Sequence, residues 1–197
     1  MKIQRERTEI RQEQIKKALL DIIADEGLQN ISTRNLALKI GLSEGTIFKH
    51  FSTKRDIIYG IMEDVEKDLL AKLRKISLSS LESKTKLYNY LCANITYLRE
   101  NRGVTILLFS EATHLGDKEL KEKLSQILYQ QKQFIIKIVK DGIADGVWNP
   151  LIDPGDFAMI YMGIPTSFNI DYILNENYTA SMDFCQRMYK IILNALR

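Results

Sequence analysis

The stretch STRNLALKIGLSEGTIFKHFSTK, residues 32–54, decides how this chain is read. It holds two short amphipathic patterns separated by Gly41 and Leu42. Ser32 supplies a hydroxyl that can accept from an orphan N–H of a first helical turn. Leu36, Ala37 and Ile40 then recur at helical spacing and make one inward face. Gly41 follows them, free to take the left-handed conformation that ends a helix. Leu42 can bury in the angle between the helices, and Ser43 caps the next one. In that second helix Ile47 and Phe51 lie four apart and face inward, leaving Thr46, Lys49 and His50 to point elsewhere. Gly45, in its first turn, costs about 1 kcal/mol relative to alanine, which close approach to a phosphate backbone would offset. Ser52 or Thr53 caps a further helix that opens with Lys54 and Arg55. Cations there oppose the helix macrodipole, so the pair calls for an external anion. Two helices around a tight turn, the second carrying basic, hydroxyl and small residues, make the pattern of a helix-turn-helix entering the DNA major groove.

Charge points the same way. The chain has 197 residues and a net charge of +3, too small by itself to identify a polyanion binder. Residues 1–55 carry eleven Lys and Arg against seven Asp and Glu, whereas 56–197 carry seventeen against eighteen. The positive balance thus lies wholly in the segment with the motif, where it would supply salt-dependent attraction to phosphate. The opening residues MKIQRERTEIRQEQIKK lack the apolar core of a signal peptide. The longest uncharged run, Phe157 to Ile170, is 14 residues and contains Pro, Thr, Ser and Asn, too short and polar to span a bilayer. Cys92 and Cys185 are isolated in apolar helical surroundings, without metal-like spacing, and read as reduced, buried thiols of a cytoplasmic protein.

Outward from the motif the pattern is helical. A first helix is expected from about Thr8 to Glu26, burying Ile15, Ala18, Leu19, Ile22 and Ile23 and stopping at Gly27. Lys2, Arg5, Arg7 and Arg11 leave two readings open: an arm reaching DNA, or a solvated face. From Lys54 a long helix carries Ile57, Ile58, Ile61, Met62, Val65, Leu69, Leu70 and Leu73 at spacings of three and four. The Ser-rich stretch 77–83 ends it. Further helices are expected at about 84–101, 103–114, 117–143, 154–175 and 179–196. Asp153-Pro154 is a strong helix start. The last two helices are apolar on more than one stripe, so something must cover them on most sides.

The motif Thr33-x-x-Leu36-Ala37-x-x-Ile40-Gly41-Leu42-Ser43-x-Gly45-Thr46-Ile47-Phe48-x-x-Phe51-x-x-Lys54 resembles the signature of the tetracycline-repressor (TetR) family. The resemblance covers about a tenth of the chain, but at many fixed positions. It departs at Phe48, where the family usually has a Tyr whose hydroxyl reaches a phosphate; Lys49 or His50 would have to replace that contact. The resemblance implies an all-α fold of about nine helices. Residues 1–53 would form a three-helix DNA-binding domain, and 54–197 a helical effector-binding and dimerisation domain. It also implies that the helix from Lys54 transmits between the two, and that the last two helices pair with those of a second copy. In the DNA-binding set Ser43, Gly45, Thr46, Lys49 and His50 would meet base edges or backbone, Thr33, Arg34 and Lys54 would hold phosphates, and Phe48 would pack.

For a regulator of this kind, polar groups among apolar helices mark an effector pocket. The candidates are Asn94, Phe109, Thr113, His114, Phe134, Met162, Thr166, Phe168 and Tyr172. Pro165 in mid-helix removes a backbone bond, and a kink there would open space beside Thr166 and Ser167. The aromatic and Met content favours a large hydrophobic effector. The expected function is a homodimeric, ligand-responsive repressor that binds a palindromic double-stranded DNA operator. A DNA-binding protein of the same fold controlled by a protein partner is the alternative. A metal-carboxylate enzyme would need more than the single Glu111-x-x-His114 pair. No phosphate loop, nucleophile elbow or zinc-ligand pattern is present, so no enzyme, metal or cofactor is expected.

Overall fold

Ser32, Gly41 and Ser43 take the capping roles that their positions suggest. The computed structural model describes residues 2–114, 116–175 and 183–196, with the side chains of 2–6 and 112–114 outside that description. Helix α1 spans Lys2–Glu26, longer at its start than the apolar stripe alone predicts. Gly27, at φ 90°, turns the chain out of it. Helix α2 is Thr33–Ile40; the Ser32 hydroxyl accepts from the Asn35 N–H, and Gly41 closes it in the left-handed region at φ 65°. Helix α3 is Glu44–His50, with the Ser43 hydroxyl accepting from the Thr46 N–H. Thr53, not Ser52, caps α4, Lys54–Asp64: the Thr53 N–H donates to Asp56 at 2.9 Å, and the Asp56 N–H donates to Thr53 Oγ1 at 3.1 Å. That reciprocal pair is a capping box with Asp in the place of Glu.

The helix expected to run unbroken from Lys54 is divided. A π-helical stretch, Val65–Leu70, follows α4 and leads into α5, Ala71–Ser77. A π turn bonds i to i+5 and shifts the register of the faces, and Val65, Leu69 and Leu70 are all buried along it. Next come α6 (Ser83–Glu100), α7 (Val104–His114), α8 (Lys118–Ala144), α9 (Pro154–Leu174) and α10 (Phe184–Ala195). Among the described residues there are ten α-helices and no strand; the interruption of the Lys54 helix turns the expected nine into ten. The start expected for the last helix, 179–183, falls largely outside the described residues.

The chain packs as two units, Met1–Asp64 with Asn101–Lys121, and Val65–Glu100 with Glu122–Arg197. This differs from a boundary at 53/54. Ile57, Ile58, Ile61 and Met62 of α4 are buried, and α4 packs on α1. Helix α7 joins the same unit by packing on both. Gly103 permits that approach, because a Cβ there would lie 2.4 Å from the Leu20 carbonyl oxygen and 3.0 Å from the Ile23 Cβ. Such a contact depends on side-chain volume far away in sequence and has no local signature.

In the second unit α6 is the central element, packing on α5, α9 and α10. Tyr90 donates to the Gln131 carbonyl at 3.0 Å and Tyr161 to the Leu87 carbonyl at 2.6 Å, so two large buried rings keep their hydroxyls paired. Burial pushes both phenols well above their ordinary range, keeping them protonated donors. Asp153 caps α9, accepting from the N–H groups of Gly155 and Asp156 at 2.8 Å each, with Pro154 beginning the helix. Helix α9 continues through Pro165, which is buried. No helix among the described residues is long and apolar enough to cross a membrane.

Candidate nucleic-acid interface

The candidate reading surface belongs to the first unit and is built on α3. Ile47 is buried and anchors the helix to the core, so neighbouring positions turn outward. Gly45, Phe48 and Lys49 are exposed, and Thr46 and His50 are half-buried. A Cβ at Gly45 would meet nothing closer than the Ser43 hydroxyl at 3.9 Å. The absent side chain is therefore not required by packing within the chain, consistent with room left for an external partner. Ser43 and Thr46 share a hydrogen bond between hydroxyls at 2.9 Å, which fixes the Thr46 side chain at the helix start. Phe48 presents its ring at 51% exposure.

The remaining expected residues flank this surface. Arg34 on α2 is exposed, and Thr33 donates to Glu44 at 2.7 Å, tying the first turn of α2 to that of α3. Gln12 of α1 donates to the His50 carbonyl at 3.3 Å. Arg7, Thr8 and Arg11 of α1 line an open groove with Thr46 and His50. Two of the basic residues whose role the sequence left open thus stand beside α3. His50 Nδ1 is buried there without a hydrogen-bond partner.

Lys54 and Arg55 differ from expectation in one respect. The anions beside them come from the chain itself. Lys54 pairs with Glu111 of α7 at 2.8 Å, and Arg55 pairs with Asp117 and Glu119, each at 2.5 Å. The two carboxylates hold the Arg55 guanidinium firmly charged, Asp117 contributing more. Reciprocally, Arg55 and then the Leu120 N–H hold the Asp117 carboxyl below its ordinary value. These partners lie 57 to 64 residues away in sequence, so no local signal could have found them.

The expected effector residues divide between the units. Phe109 is exposed on α7 in the first unit. The side chains of Thr113 and His114 lie outside the described residues. In the second unit Asn94 is buried and donates to the Tyr90 carbonyl at 3.3 Å, while Thr166 donates to the Met162 carbonyl at 3.1 Å. Both bonds serve the local helix. Phe134 and Met162 are half-buried. Phe168 and Tyr172 do come together: their rings stack with centroids 5.8 Å apart, and Phe168 also meets Phe184 at 4.8 Å. Asn169 is fully buried; its amide donates to the Leu98 carbonyl at 3.2 Å, and its Oδ1 has no partner. Glu111 is engaged by Lys54, and no cluster of three or more metal-ligating side chains occurs among the described residues.

Comparison with known proteins places this geometry. Residues 15–59, from the middle of α1 into α4, match the domain described as bacterial regulatory proteins, tetR family. Nucleoid occlusion factor SlmA of Vibrio cholerae is 23% identical over 132 residues, 66% of this chain and 67% of that protein. SlmA of Haemophilus ducreyi is 30% identical over 121 residues, and the match spans only 58% of its length. In fold, the ketosteroid transcriptional regulator KstR2 of Mycobacterium tuberculosis superposes with a TM-score of 0.81 at 18% identity, covering 94% of each chain. The fatty acid degradation regulator FadR of Bacillus halodurans gives 0.76 at 18% identity, over 94% of this chain and 96% of its own. Residues 15–59 thus carry a domain of the tetR family, and the chain shares the fold of these two regulators along most of its length.

Proposed function

We propose that the protein is a homodimeric repressor that binds a palindromic operator and is released from it by a hydrophobic small molecule. The observation that carries the reading is the outward row of α3: an exposed glycine with open space above it, a positioned Thr46, and an exposed Lys49, set beside Arg7 and Arg11. Small and hydroxyl groups let a helix sit deep in the groove, and cations on its flank neutralise phosphates. Thr33, Arg34 and Lys54 would hold backbone phosphates; for Lys54 this means exchanging Glu111 for a phosphate. Phe48 offers apolar contact, such as with a thymine methyl group, where a hydroxyl would have donated.

Dimerisation draws support from the second unit. Met159 and Ile160 of α9 and Ile191 of α10 are exposed large apolar side chains, and an apolar groove between these helices is lined by Ile164, Phe168 and Met188. A second copy covering these faces would set two reading helices about 34–36 Å apart, one helical turn of DNA. A hydrophobic effector is supported by the unpaired Asn169 Oδ1 amid apolar helices and by neighbours of the same fold named for ketosteroids and fatty acids. An effector can release DNA only by preferring the dimer spacing that DNA does not.

The test is a selection of binding sites from random DNA, followed by titration of the selected site. Thr46→Ala with Lys49→Ala is expected to weaken specific binding by roughly a hundredfold or more, at 1–3 kcal/mol per base contact, with the dimer intact. Unchanged affinity would remove the assignment. Control by a protein partner is the second reading, favoured by sequence relatives named for nucleoid occlusion and not for an effector. Acyl-chain and steroid compounds that neither raise the melting temperature nor release DNA would favour it.

A further inference from the structure

Cys92 on α6 and Cys185 on α10 are 93 residues apart in sequence, on two helices that pack against each other. Tyr88 and Tyr189 meet edge to face with centroids 5.2 Å apart. Tyr88 is one helical turn before Cys92, and Tyr189 is one turn after Cys185. With the two cysteines as neighbours and the ring pair one turn away on each helix, α6 and α10 run antiparallel along this seam. The Cys92 thiol has that of Cys185 and the Tyr88 hydroxyl as its polar neighbours. Tyr189 is itself fixed by donating to the Lys84 carbonyl at 2.8 Å, so the seam is held at its far end. Both cysteines are reduced and half-buried, neither sealed in the core. The expectation of buried thiols is met only in part, because the α6–α10 seam lies near the surface of the unit and leaves both partly exposed.

We propose that Cys92 and Cys185 form an oxidant-reactive pair that a peroxide converts to an intramolecular disulfide joining α6 to α10. The chemistry divides naturally between them. Hydrogen bonds from Cys185 and Tyr88 outweigh partial burial and bring the Cys92 thiol down to about 7, while the same interaction pushes Cys185 up. Cys92 is then the thiolate nucleophile. Its sulfur attacks one peroxide oxygen, the O–O bond breaks, and the departing oxygen leaves as water or an alcohol after taking up a proton. Cys92 becomes a sulfenic acid. Cys185, the resolving thiol, attacks that sulfur; the S–S bond forms, and the sulfenic oxygen leaves as water with the thiol proton. Two thiols and one peroxide thus give one disulfide, one water and one further water or alcohol. A dithiol reductant reverses it by exchange. The bond would clamp the first turn of α10, the helix that bears exposed Ile191, onto α6. The inference stands on unit-two geometry alone and does not depend on the DNA-binding reading.

The test uses the folded, reduced full chain treated with a slight excess of hydrogen peroxide, then alkylated and digested without reductant. A Cys92–Cys185 linked peptide and the loss of both titratable thiols are expected, restored by dithiothreitol. In Cys185→Ser, dimedone should label Cys92 as a sulfenic acid at a rate at least severalfold above that of the same variant unfolded in denaturant. Cys92→Ser should leave Cys185 unlabelled under the same conditions. Persistence of both free thiols, linkage only between chains, or dimedone labelling that no native structure accelerates would each overturn the proposal.

Discussion

Two glycines of the first unit are required for different reasons, and substitution separates them. Gly41 sits at φ 65° with nothing near its missing Cβ, so Gly41→Ala meets only backbone strain, about 1 kcal/mol. Gly103 has an ordinary backbone but no room, with the Leu20 carbonyl 2.4 Å from where a Cβ would stand. Gly103→Ala is expected to cost about 2–4 kcal/mol because α7 must lift from α1. Chemical denaturation of both variants checks the ranking; equal losses would contradict the packing argument. Gly41 was legible in the sequence because a helix end is a local event. Gly103 was not, since its neighbours come from a helix some eighty residues earlier. Lys54 is a similar case. Its place at a helix start called for an external anion, but Glu111, 8% exposed, supplies one from within the chain. Lys54→Ala leaves that carboxylate buried without its cation and is expected to destabilise by about 1–3 kcal/mol, more than Glu111→Gln. Denaturant midpoints would decide between them.

At the scale of elements, capping chemistry set several helix starts. Ser32, Ser43, Thr53 and Asp153 each satisfy N–H groups at a helix start, and each lies within three residues of what it caps. Asp117 does the same for α8, accepting from the Leu120 N–H at 3.1 Å while holding Arg55 of α4. A carboxyl whose folded value is depressed stabilises fully above its unfolded value and loses that contribution as pH falls through the folded one. The ordinary value here is 3.8, so the corner weakens as pH drops below that value. Asp117→Asn should melt lower than wild type at pH 6, with the gap closing toward pH 2. A gap that stays constant across that range would deny the ion pair its role. The π-helical Val65–Leu70 had no such local signature. Its apolar residues keep spacings of three and four, and only the demand that Leu69 and Leu70 both be buried reveals the shifted register.

For the whole molecule, the apolar excess of the last two helices was visible as composition, and the structure locates the part that the unit itself leaves uncovered. Ile160 is 72% and Ile191 62% exposed. Substituting either by Glu should change the fold's stability little, within about 0.5 kcal/mol for an exposed site, yet should convert the proposed dimer to a monomer in sedimentation velocity. A variant that remains dimeric would move the interface elsewhere. The effector residues show where sequence reading reached its limit. Polar side chains among apolar ones were found, but Asn94 and Thr166 bond to their own helix, and Phe109 packs in a different unit from Phe168 and Tyr172. The sequence by itself determined the helices, their caps and the outward row of α3, because periodicity and capping act within a turn or two of chain. Only the tertiary structure decided that α7 belongs with the helix-turn-helix unit, that Glu111 and Asp117 face Lys54 and Arg55, and that two cysteines share one seam. Those pairings rest on contacts between helices dozens of residues apart, and shape complementarity at that range leaves no periodic trace in sequence.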